Sequence, residues 1–207
     1  MPLTTLEPTQ LGQNQMLVLP GRHNWSGLQS IQAWAATIPG LRVTYLDGYI
    51  QLMTTGKLHE RIKKLIAILL EIYFFEQGIQ FFPAGNATCE AEEQGVSFEP
   101  DESYCLGTDQ DYPNLAIEVI ITSGGLDKLE KYRRFEVDEV WFWQDNQLLL
   151  YGLVKGIFPE QNAYERLVHS QLLPELNLAV FSDCIQLPDI LEARRTFLAE
   201  VRTNSGR

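Results

Sequence analysis

The apolar positions of the chain follow two periods. Between Lys57 and Gln77, Leu58, Ile62, Leu65, Ile66, Leu69, Ile72 and Tyr73 form one stripe of a long helix. Gly78 follows as its natural C-terminal stop. Upstream, "LRVTYLDGYIQLM" holds two β-rich runs around Asp47-Gly48, the signature of a tight hairpin. Still earlier, Ser26 with Gln29 forms a capping box that opens a helix running to about Thr37, where Pro-Gly ends it. Short strands are expected near "IQFF", "ATCEAE" and "GVSFE". "NLAIEVII" is nearly continuous and β-branched, as in a strand buried on both faces. A helix over residues 126–136 and the strand "EVWFW" come next, so the two strands should be parallel with a right-handed crossover. "LLLYGL", one more strand pair and a terminal helix over residues 187–201 complete the pattern. The reading is an irregular arm over residues 1–24 and one domain over 25–207, of α/β or α+β class with a mixed sheet flanked by helices.

Composition narrows this only a little. Hydrophobic content of 45% and charged content of 21% belong to a folded chain of 207 residues. No apolar run reaches the ~20 residues of a membrane helix, and "MPLTTLEPTQLG" has neither the basic start nor the apolar centre of a signal peptide. Cys89, Cys105 and Cys184 are odd in number and widely spaced, and only three histidines accompany them. A structural zinc site is not expected, and a reduced, cytoplasmic protein is. The net charge of -11 argues against a protein that coats nucleic acid. Half of the 16 basic residues nevertheless fall in two short segments, Lys57–Lys64 and Lys128–Arg134. Each is either a solvated helix face or a local basic patch.

Chemistry concentrates after these patches. "SFEPDESY" carries Glu99, Asp101 and Glu102 on a loop, and Glu118 lies inside the apolar run "AIEVII". A carboxylate there needs a charged partner, a strand edge or a metal. If Asp101 and Glu118 share a site, a cation must lie between them, and oxygen ligands favour Mg²⁺ or Mn²⁺ over zinc. On a helical wheel with Leu126 at the origin, Leu129, Tyr132 and Phe135 span an arc of ~180–300°, and Lys128 falls inside it at ~200°. The natural partner for Lys128 is Glu118, and a snorkelling stem is the alternative. His59 stands at the edge of the long helix's apolar stripe, able to reach a cleft or simply to pack. "ITSGG" lacks the phosphate-loop pattern, and there is no G-x-S-x-G elbow or Cys-His set.

Taken in order, "EPD", "AIEV", Lys128 four residues before Tyr132, and "VDEVWFW" resemble the Uma-two family of restriction-endonuclease-like proteins, in the PD-(D/E)XK superfamily. "YLDGYIQLM" and a following helix with His59 near its start resemble it too, so the likeness runs from about Leu41 to Phe181. The resemblance implies a restriction-endonuclease-like core with an added N-terminal helix and hairpin. It implies Asp101 and Glu118 as ligands of Mg²⁺ or Mn²⁺, with the Val119 carbonyl as a possible third. It implies Lys128 and His59 as further site residues, DNA as substrate and a homodimer. Ile120 stands where the superfamily has its lysine, and "TSGG" where the family has a further acid. Three functions stay open: a metal-dependent DNA nuclease, an inactive relative that binds DNA or protein, and an oligomeric structural module.

Overall fold

A computed structural model describes residues 15–121 and 128–204. The long helix α2 (Lys57–Gln77) has the expected bounds, and Gly78 closes it in the left-handed conformation at φ 67°. The hairpin β2 (Leu41–Leu46) and β3 (Tyr49–Thr54) turns on Asp47 and Gly48, at φ 49° and 89°. Positive φ at both positions gives the turn whose twist matches that of the paired strands. Helix α1 (Trp25–Ala35) starts one residue before the anticipated cap. Asn24, not Ser26, caps it by accepting the Gly27 N–H at 3.0 Å. The stretch expected to be an irregular arm contains β1 (Gln15–Val18), which pairs antiparallel with β3.

The strands β4 (Phe81–Pro83), β5 (Cys89–Ala91), β6 (Val96–Phe98), β7 (Glu102–Leu106), β8 (Leu115–Ile120), β9 (Glu139–Gln144), β10 (Gln147–Val154) and β11 (Ala163–Leu167) complete the β structure of the described residues. They form two sheets rather than one. A five-stranded sheet has the order β1-β3-β2-β6-β5, and a six-stranded sheet the order β11-β10-β9-β8-β7-β4. The β8–β9 pair is parallel, as the intervening helix requires, and its other neighbours are antiparallel. Helix α3 (Lys128–Arg134) is the described part of that crossover; the "TSGG" turn lies outside the described residues.

After β11 the expected second strand is instead helix α4 (Leu178–Gln186). "LAVFSDCIQ" is as apolar as a strand, but its buried residues Phe181, Cys184 and Ile185 have helical spacing, and Asn177 caps the first turn. Helix α5 (Ile190–Asn204) then begins beyond Pro188, three residues later than its pattern suggested.

Side-chain alternation along β8 divides the core. Leu115, Ile117 and Val119 face α2, α4 and α5 together with Trp141 and Trp143. Ala116 and Ile120 face the other way, toward Phe98, Tyr132 and Phe142. Glu118 has the parity of this second face. A third cluster packs α1 on the hairpin through Leu28, Val43, Tyr45 and Ile50. Phe98 is completely buried, edge-on to Tyr132 at 4.8 Å between centroids. Truncating Phe98 to alanine should cost about 3–5 kcal/mol. Urea denaturation checks this, and a loss below about 1 kcal/mol would mean the two sheets are not joined through this ring.

Candidate active site

The site lies where the chain leaves one sheet and enters the other. β6 belongs to the five-stranded sheet and β7 to the six-stranded one, with only Glu99, Pro100 and Asp101 between them. Glu102 pairs with Ile117, so Asp101 stands one position farther on, opposite Glu118. Opposed residues of an antiparallel pair share a face. Asp101 enters the ladder with its side chain, accepting the Val119 N–H on Oδ2 at 2.7 Å. Both carboxylates are buried, at 1% and 4% exposure.

Each acid has its own protein cation. Arg42 of β2 donates to Asp101 Oδ1 at 2.5 Å, and His59 Nε2 lies 3.0 Å from Oδ2. His59 is buried in the first turn of α2, and its Nδ1 faces Glu60 Oε1 at 3.3 Å. Glu60 is itself held by Thr55 and Lys63. Glu118 Oε1 accepts from Lys131 Nζ at 2.7 Å and from the Tyr132 hydroxyl at 2.5 Å. Lys131 Nζ also sits 4.4 Å from the centre of the Phe98 ring.

The anticipated Glu118–Lys128 ion pair is therefore replaced by Glu118–Lys131. On the same wheel Lys131 lies at ~140°, outside the apolar arc. It reaches inward because Phe98 and Tyr132 offer its ammonium aromatic faces. Lys128 is half-buried and lines a small cavity with Arg42, Thr44, Gln51, Met53, Glu99, Glu118 and Lys131. It makes no ion pair with a described residue. Arg42 was not anticipated. A signal for it existed in the hairpin: Arg42 and Thr44 alternate on one face and pair across with Met53 and Gln51. A two-residue turn fixes that register, so the sequence places a polar patch on an otherwise apolar hairpin.

Burial alone would raise the Asp101 pKa. His59, Arg42 and the Val119 N–H outweigh it and hold the carboxyl at about 2. Burial lowers the Lys128 pKa and Lys131 adds to the effect, while Glu118 and Asp101 partly restore it. For Arg42, burial opposes the charge, but Asp101 and Glu118 more than compensate. The Tyr132 hydroxyl is pushed well upward by burial and by Glu118, so it remains a donor.

Much of the remaining basic charge is committed inside the fold. Arg133 and Arg134 pair with Glu130, Arg134 also grips Asp47 at the hairpin turn, and Arg61 donates to the Pro188 carbonyl. Lys57 and Lys64 are exposed. The two basic segments are thus mostly scaffold, with Lys128 the member turned to the cavity without an ion pair among the described residues.

The model of the Uma2 family, described as "Putative restriction endonuclease", matches residues 28–181. The chain belongs to the Uma2 family. Its mixed α/β architecture, with two sheets flanked by helices, fits the restriction-endonuclease-like fold. No curated protein matches the sequence. In this Uma2 chain the matched segment contains the whole constellation, from Arg42 and His59 to Lys131 and Tyr132. Among the described residues, no helix is long and apolar enough to cross a membrane. Among them too, no three acids, histidines or cysteines converge as a ready metal cage.

Two outcomes follow. Glu118→Gln leaves Lys131 buried and uncompensated, which should cost about 3–5 kcal/mol. Glu118→Gln with Lys131→Met should recover most of that loss in urea denaturation; equal losses would mean that the pair is not coupled. Asp101 has its pKa lowered from 3.8, so its stabilising contribution is complete above that value and disappears as pH falls through about 2. Stability should drop over that window in the wild type, and Asp101→Asn should remove this part of the slope.

Proposed function

We propose that this Uma2 chain is a divalent-metal-dependent nuclease acting on the phosphodiester bonds of DNA at the Asp101–Glu118 site. The observation that carries the reading is Lys128: a half-buried ammonium beside two opposed, buried carboxylates, with no ion pair to a described residue. A cation kept out of internal pairing, in a crevice it shares with Arg42 and Lys131, suits an anionic substrate.

Asp101 and Glu118 would hold Mg²⁺ or Mn²⁺, since both offer hard oxygen donors. Among the described residues, Glu118 Oε2 accepts no hydrogen bond and Asp101 Oδ1 is engaged by Arg42 alone. When bound, the cation would supply water activation and charge neutralisation at the phosphate. The chain's own groups have separate tasks. Lys128 neutralises the charge that grows on phosphate oxygens. Lys131 and Tyr132 fix the rotamer of Glu118, and His59 with the Val119 N–H fixes that of Asp101. His59 is a positioning residue in this scheme, because both its ring nitrogens face carboxylates.

One observation favours an alternative, a nuclease fold that binds without cutting: Glu118 and Lys131 already form a closed, buried pair. Lys128→Met separates the readings. For a nuclease, cutting of supercoiled plasmid in Mg²⁺ or Mn²⁺ should fall about 100-fold, with an unchanged melting temperature. Wild-type cutting by this variant would remove Lys128 from the mechanism. A purified wild type that never cuts would favour the binding module.

A further inference from the structure

The site contains more protein cation than a centre awaiting a dication needs. Among the described residues, Arg42, Lys128 and Lys131 line the cavity with Glu99 and Glu118, and Arg42 also pairs with Asp101 beside it, so three cations already face three acids. The cavity between them is about 20 Å³. That admits one water-sized occupant and not a hydrated metal ion together with a phosphate group. A metal ion bound to both acids would meet Arg42 on Asp101 and Lys131 on Glu118.

Of the described side chains that hold the two acids, only one is placed to leave cheaply. Lys131 is buried, bonded to Glu118 and seated on Phe98. His59 is locked in the first turn of α2 at 2% exposure, between Glu60 and Asp101. Arg42 is different. It comes from the other sheet on a flexible stem and has a single bond to the acid. It holds Oδ1 of Asp101, while the His59 and Val119 contacts both go to Oδ2. Withdrawing the guanidinium would free one carboxylate oxygen and leave the anchoring of Asp101 intact.

We propose that Arg42 is the resident counter-cation of Asp101 in the metal-free protein, and that a divalent cation binds by displacing it. This rests on the nuclease reading above. Arg42 keeps a buried acid compensated until the metal arrives and makes metal affinity lower than the two carboxylates alone would give. Once released, its planar fork is suited to phosphate oxygens entering the same cavity.

The test is calorimetric titration of Mn²⁺ into the wild type and Arg42→Gln. The variant should bind Mn²⁺ about tenfold more tightly, as expected when a competing charge is removed. Should Arg42→Gln fold poorly, the wild type decides: the Arg42 side-chain NMR signal should change from rigid to mobile when Mg²⁺ is added. Equal or weaker Mn²⁺ binding by a folded variant, or an Arg42 signal unmoved by saturating Mg²⁺, overturns the displacement and leaves the nuclease reading in place. Absence of Mn²⁺ binding to both proteins at millimolar concentration overturns both.

Discussion

Two carboxylates placed opposite each other in a protein interior repel, and the surrounding site is arranged around compensating that repulsion. Asp101 and Glu118 occupy opposed positions where β7 and β8 begin to part. Neither can ionise there without cations or donors at close range. Arg42 comes from the hairpin, His59 from the start of α2, and Lys131 and Tyr132 from α3. Three separate elements thus converge on one pair of acids.

This convergence explains the double-sheet arrangement. The segment Glu99–Asp101 carries the chain from the hairpin sheet to the larger sheet, so β6 and β7 straddle the site. Phe98, just before the crossing, supports Lys131 and Tyr132 from below. Arg134 ties the far end of α3 back to Asp47 at the hairpin turn. The helix that supplies the lysines is therefore held to the sheet that supplies Arg42 at its middle, through Phe98, and at its C-terminal end, through Asp47. An acid in an apolar strand does not by itself make a site. Glu139 of β9 is equally buried, yet it is fully occupied by the Trp141 indole, the Ser170 hydroxyl and the backbone N–H groups of Gln171 and Leu172. Glu139 anchors a loop, whereas Glu118 retains an oxygen without a hydrogen-bond donor among the described residues.

The sequence made parts of this legible and hid others for physical reasons. Helix α2, the hairpin and the parallel β8–β9 pair were readable because each rests on local periodicity or a turn signal. Glu118 was readable because it interrupts an apolar run. Its partner was misread by one helical turn. Lys128 and Lys131 lie ~60° apart on the same side of α3, and a wheel tells which face a lysine is on but not how far it penetrates. Phe98, 33 residues upstream, decides that depth by lying under the Lys131 ammonium. Arg42 and Asp101 are separated by 59 residues, so only the register between hairpin and crossing brings them together. Helix α4 was not foreseen: only an unplaced strand pair was expected before the terminal helix, since nine apolar-rich residues satisfy either period until packing on α5 and α2 selects the helix.

We propose that these opposed acids form one cation site. Anomalous scattering from crystals equilibrated with Mn²⁺ tests it most directly. A single strong peak is expected within coordinating distance of both Asp101 and Glu118, with Arg42 withdrawn from Asp101. Density that leaves Arg42 on Asp101 and places no peak between the two acids would contradict it, and would mark the pair as structural.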